Sequence, residues 1–87
     1  MIEKSFTIEL EHGFHARPAS KLTNTCQQFK CNFQMKKGDS VTDPKSILGI
    51  IGMCARKGEV VTFTAEGTDE EEAIRAIEAL FEKDFKA

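Results

Sequence analysis

Between residues 2 and 10 the even positions Phe6, Ile8 and Leu10 are apolar, while Glu3, Ser5, Thr7 and Glu9 are polar. This period of two predicts a half-buried strand. Lys4 breaks the apolar row near its start. The period then changes: Ala19, Leu22, Cys26 and Phe29 are three, four and three residues apart, so they share one face of a helix. Pro18 fits the first turn of that helix, where its missing N–H would have had no partner. A second alternation at Cys31, Phe33 and Met35, the turn residues Lys37-Gly38-Asp39 and a short strand around Val41 predict a hairpin. Asp43-Pro44-Lys45-Ser46 interrupts it. Ile47, Leu48, Ile50 and Ile51 follow as a short apolar helix that Gly52 weakens and Lys57-Gly58 ends. Val61, Phe63 and Ala65 mark a fourth strand that stops at Gly67. Thr68-Asp69-Glu70-Glu71 has the Thr-x-x-Glu form of a capping box, and Ala73, Ile74, Ile77, Leu80 and Phe81 carry a last amphipathic helix.

The order is βαββαβα, with one apolar face per element. It predicts an α+β fold, an open-faced two-layer sandwich in which three helices cover one side of a four-stranded, mainly antiparallel sheet. With 87 residues there is too little surface to bury for two cores, so residues 1–87 are expected to form a single domain. A hydrophobic content of 40% against 30% charged excludes intrinsic disorder. The net charge of −2 and the absence of a basic run give no reason to expect a nucleic-acid partner. An RNA-binding sandwich would also display aromatic residues on an open sheet face, whereas the phenylalanines here occupy core-patterned positions. No stretch is apolar enough for a leader peptide or a membrane span, so the expected location is the cytoplasm, without membrane insertion. Cys26, Cys31 and Cys54 are an odd set without Cys-x-x-Cys spacing. They are expected to be free thiols acting as small core residues.

Candidate chemistry concentrates in Gly13-Phe14-His15-Ala16-Arg17-Pro18-Ala19, where His15 stands at the boundary between loop and helix. First-turn N–H groups, from residues such as Ala16, Arg17 and Ala19, point outward at the positive end of the helix dipole, a setting that suits phosphate. Imidazole, with a reference pKa of about 6.5, is a competent nucleophile near neutral pH. The Arg17 guanidinium is a fork matched to phosphate oxygens. His12 lies three residues from His15, but two ligands without a third do not make a metal site, and neither metal nor cofactor is expected. Ser46 stands where a helix N-cap belongs, which by itself accounts for a serine there. Ile47, Leu48 and Ile51 cannot all be buried by a short helix on one sheet, so part of an apolar patch should be exposed.

The Gly-Phe-His-Ala-Arg-Pro-Ala segment resembles the active-site signature of the HPr family, the histidine phosphocarriers of the bacterial phosphoenolpyruvate-dependent phosphotransferase system. The likeness extends over essentially the whole chain, through Lys45-Ser46-Ile47, Lys57-Gly58 and Ala65-Glu66-Gly67. It implies a carrier rather than an enzyme: His15 accepts a phosphoryl group through Nδ1 from phosphorylated enzyme I, Arg17 assists, the backbone of Ala16 and Arg17 binds phosphate, and enzyme II A domains receive the group in sugar uptake. It further implies phosphorylation of Ser46 by an HPr serine kinase/phosphorylase, contact with a transcriptional regulator, and a docking surface made of Phe14, Pro18, Ile47, Leu48 and Ile51. Two alternatives stand beside it. Ala79-Leu80-Phe81 and Phe85 resemble the nitrogen-related branch of the family, which uses the same histidine in a regulatory relay, and some relatives are non-catalytic regulatory binders that lack the histidine. Lys45-Ser46-Ile47 favours the sugar branch, and His15 argues against a pure binder.

Overall fold

The computed structural model describes residues 1–85. Its elements are β1 (Ile2–Thr7), α1 (Ala16–Cys26), β2 (Asn32–Lys37), β3 (Ser40–Thr42), α2 (Ile47–Gly52), β4 (Val60–Glu66) and α3 (Glu70–Glu82). The sheet order is β1-β4-β2-β3, and all three pairings are antiparallel. The last strand is therefore central. Phe63 of β4 lies opposite Lys4 on one side and Met35 on the other.

The three helices cover the face on which Phe33, Met35, Val61, Phe63 and Ala65 point inward; Ala19, Leu22, Cys26, Ile50, Ala73, Ile74 and Ile77 come down to meet them. The other face is polar, with Ser5 Oγ and Thr62 Oγ1 sharing a hydrogen bond of 2.8 Å. This one-sided burial explains the strict alternation in β2 and β4, since a slip of one residue would turn Phe33, Met35 and Phe63 to solvent.

Three details depart from the sequence reading. The ladder of β1 ends at Thr7 rather than Leu10, because Ile8 turns to the connection before β4, donating to Glu59 O at 2.8 Å and accepting from Gly58 N at 2.7 Å. The short helix stops at Gly52, well before Lys57, and Cys54 follows in the left-handed region at φ 53°. That turn carries the Cys54 side chain to the surface, so only Cys26 and Cys31 are core residues. The third departure is the capping box. Asp69, not Thr68, is the N-cap of α3, and its carboxylate accepts from Lys30 N at 2.8 Å and Cys31 N at 3.0 Å instead of closing its own helix. Those two N–H groups at the entry to β2 are strong claimants on a carboxylate. Glu70 supplies the local contact, accepting from Gly67 N at 3.1 Å.

Lys45 has a structural role that the sequence reading did not address. Its ammonium donates to Phe29 O at 3.0 Å and Cys31 O at 3.2 Å and lies over the Phe33 ring, so it ties the segment before α2 to the core. Thr23 Oγ1 of α1 donates to Pro44 O at 3.0 Å in the same region. Together these contacts hold α2 against α1 and fix where Ser46 emerges.

Candidate functional site

The loop from Ile8 to Phe14 is pinned to the connection between α2 and β4. Phe14 N donates to Ala55 O at 3.2 Å, and Gly13 N donates to Leu10 O at 3.1 Å. Gly13 sits at φ +66°, and a Cβ at that position would collide with the Ala55 carbonyl oxygen. No other residue fits both the angle and the approach. The Phe14 ring turns inward, 5% exposed, with its face and edges against Phe85 at 5.2 Å and Phe81 at 6.1 Å between centroids.

His15 follows as the N-cap of α1, with extended backbone angles and an exposed side chain that makes no capping bond. Its imidazole is thus available for chemistry rather than engaged in holding the helix. The N–H groups of Ala16 and Arg17 find no acceptor among the described residues, and Pro18 has none to satisfy. Ala19 is different. Its N–H donates to His15 O at 3.1 Å, so it belongs to the helix and offers nothing to a phosphate. No acidic residue occupies the first turn to oppose an incoming anion. The arrangement can do two things at once: present a nucleophilic ring, and receive the charge that the ring would acquire on two backbone donors and a guanidinium.

An open cavity of about 430 Å³ adjoins the ring, lined by Leu10, His15, Arg17, Pro18, Lys21, Asp84 and Phe85. Three of these were not singled out from sequence. Lys21 carried a readable signal, since it lies four residues after Arg17 and shares its helical face. Leu10 and Asp84 carried none, because they reach the cavity by a loop and by the turn after α3. The His12 ring stands 6.4 Å from that of His15 at 65°. Among the described residues no group of three His, Cys, Asp or Glu side chains could hold a metal ion, and no helix is long and apolar enough to cross a membrane.

The structure divides the expected docking residues. Phe14 and Pro18 are buried, although Pro18 lines the cavity, so Phe14 is a core residue that positions its neighbour rather than a surface for a partner. The reason is the aromatic cluster supplied by α3 and the turn beyond it. Ile47 and Ile51 are each 37% exposed and Leu48 83%, while Ile50 is fully buried, so α2 turns one isoleucine to the core and an apolar side to solvent. Ser46 caps α2, its Oγ accepting from Gly49 N at 3.1 Å, and is itself exposed.

Residues 2–83 match the family model described as PTS HPr component phosphorylation site. The chain is 40% identical over 77 residues to phosphocarrier protein HPr of Neisseria meningitidis, covering 88% of this chain and 86% of that one. It is 32% identical to the HPr-like protein Crh of Halalkalibacterium halodurans over 84 residues, covering 97% of this chain and all of the relative. Among solved structures, HPr-C-His from Thermoanaerobacter tengcongensis superposes with a TM-score of 0.93 at 39% identity, over 98% of this chain and 96% of that chain.

Proposed function

This chain belongs to the HPr family of phosphocarrier proteins, and on that premise we propose that it takes a phosphoryl group onto His15 from phosphorylated enzyme I and passes it to enzyme II A domains in sugar uptake, in the cytoplasm. The observation that carries the reading is the N-cap position of His15, with its ring unbonded and the Ala16 and Arg17 N–H groups vacant beside it. In the forward step a ring nitrogen of His15, Nδ1 by family resemblance, attacks the phosphorus of the group carried by the donor. The new P–N bond forms as the donor's breaks, and the donor keeps the electron pair. Arg17 pairs with the phosphoryl oxygens while the group is between the two proteins. The reverse geometry serves delivery, so one exposed ring meets each partner in turn. The apolar side of α2, with Ile47, Leu48 and Ile51, is the surface on which those partners dock.

Ser46 is the regulatory position in this account, a substrate for an HPr serine kinase/phosphorylase, with a transcriptional regulator as a further reader of the modified surface. A phosphate on its Oγ would stay at a helix start, where negative charge is tolerated, yet would place roughly −1.5 to −2 charges beside the apolar patch.

The similarity to Crh supports keeping a regulatory role in view, but the free His15 ring favours the relay. The nitrogen-branch reading rested on Ala79-Leu80-Phe81 and Phe85. Phe81 and Phe85 pack together at 4.9 Å and both contact Phe14, so core packing accounts for them without reference to a partner. Incubating the protein separately with a sugar-type and a nitrogen-type enzyme I, each charged with labelled phosphoenolpyruvate, separates the branches. Faster labelling by the sugar-type donor is expected. Labelling by the nitrogen-type donor alone would assign the chain to the other branch.

A further inference from the structure

We propose that Lys21 is a second cation of the phosphoryl site, binding the group on His15 together with Arg17; the inference rests on the reading of His15 as acceptor. Lys21 lies four residues after Arg17 on α1, a spacing that makes the two side chains neighbours on one helical face, and both line the cavity next to the His15 ring. It is half-buried and lines the cavity, as suits a lysine whose apolar stem packs and whose ammonium stays hydrated. Lys4 pairs with Glu78, Lys37 with Glu59, and Lys45 donates to two carbonyls, whereas Lys30, Lys36, Lys57 and Lys83 have no such partner among the described residues but lie away from the cavity lining. Lys21 makes no ion pair or side-chain hydrogen bond among the described residues.

The charge balance of the cavity decides what this cation does. Asp84 is the one acidic residue among the described lining residues, and its backbone is held in place. The Asp84 and Phe85 backbones are locked by Asp84 N on Phe81 O at 3.2 Å and Phe85 N on Leu80 O at 2.8 Å, with the Phe85 ring wedged against Phe14. Arg17 and Asp84 therefore cancel in formal charge. Among the described lining residues Lys21 leaves the balance positive, against a phosphoryl group that brings about two negative charges.

A cation that binds the carried group shifts the equilibrium between donor and carrier. One that only helps the partners dock changes rates and leaves that equilibrium untouched, since free species define it. The test measures the equilibrium between phosphorylated enzyme I and this protein, with the steady-state kcat and KM, for the unaltered chain, Lys21→Gln, Lys21→Arg and His15→Ala. With Lys21→Gln the equilibrium constant for loading the carrier should fall about fivefold, as for loss of a favourable exposed ion pair, and added salt should narrow the difference. Lys21→Arg should restore it to within about twofold. An unchanged equilibrium in Lys21→Gln, even with a raised KM, overturns the proposal, as does a Lys21→Arg variant as poor as Lys21→Gln. If the unaltered chain takes no acid-labile label, or His15→Ala takes as much, the reading of His15 fails and this one with it; normal labelling with an unmoved equilibrium sinks Lys21 alone.

Discussion

At the scale of single residues, chemistry here follows from what each side chain is not required to do. His15 caps α1 through its backbone and leaves its ring unengaged, whereas Ser46 caps α2 with its side chain, its Oγ bonded to Gly49 N. The three cysteines sort in the same way. Burial pushes the Cys26 thiol up to about 12, helped by Cys31, and burial pushes Cys31 up to about 11, helped by its hydrogen bond to Asp69. Neither forms thiolate readily near neutral pH. Cys54 is exposed on the turn after α2. A thiol-alkylating reagent at pH 8 should therefore modify Cys54 in the folded protein and reach Cys26 and Cys31 only after unfolding, as peptide mapping by mass spectrometry would reveal; equal modification of all three would contradict the packing. The sequence reading expected Cys54 in the core with the other two, and its spacing of three from Ile51 fits a helix that runs on. What it lacked was the end of that helix at Gly52, since a non-glycine residue at positive φ gives no compositional warning.

At the scale of elements, Asp69 joins two parts of the fold. Its carboxylate takes the Lys30 and Cys31 N–H groups and so ties the start of α3 to the start of β2. Those bonds, that from Lys30 N first, hold its carboxyl below the usual carboxylate range. A carboxyl depressed on folding stabilises the protein above its unfolded pKa, near 3.9, and the contribution disappears as pH falls through the lower folded value. Asp69→Asn should lower the unfolding midpoint at pH 7 and lose less on acidification than the unaltered chain. Denaturant unfolding at pH 7 and pH 3 measures both, and parallel losses in the two proteins would show that the carboxylate adds no pH-dependent stability. The Thr-x-x-Glu spacing had announced a helix start to within one residue, but could not show that a carboxylate there serves a different strand. In α2 the proposed regulation belongs to the same scale. Ser46→Asp keeps an oxygen at the N-cap and should leave the thermal midpoint within a few degrees of the unaltered value. It should nevertheless slow phosphorylation by enzyme I several-fold, because the added charge borders Ile47, Leu48 and Ile51. Unchanged kinetics would remove Ser46 from the regulatory account.

At the scale of the whole molecule, the sheet and the site are joined by aromatic side chains. Phe6 stacks on Phe81 at 4.4 Å, Phe81 meets Phe63 at 5.9 Å, and Phe14 closes the cluster from the loop before His15. The core side of β2, β4, α1 and α3 was legible in the sequence, because one-sided burial imposes a period of two on strands and of about 3.6 on helices. The strand order, with β4 between β1 and β2, was not, since it depends on which edges meet in space. Phe14 shows the same limit at the site: a phenylalanine in a loop reads as a surface for partners until the far end of the chain folds back over it. The motif stood out because Gly13 and Pro18 answer to local backbone geometry, whereas His15 and Arg17, both exposed, were singled out by the resemblance of the whole segment to the family signature.

The central claim is that His15 is the point at which the phosphoryl group rests. Its most direct test is to charge the protein with enzyme I and labelled phosphoenolpyruvate, beside His15→Ala, and follow the label through acid and base treatment. The account predicts an acid-labile, base-stable label on the unaltered chain and none on the variant. Equal labelling of the two, or a label on the unaltered chain that survives acid, would contradict it.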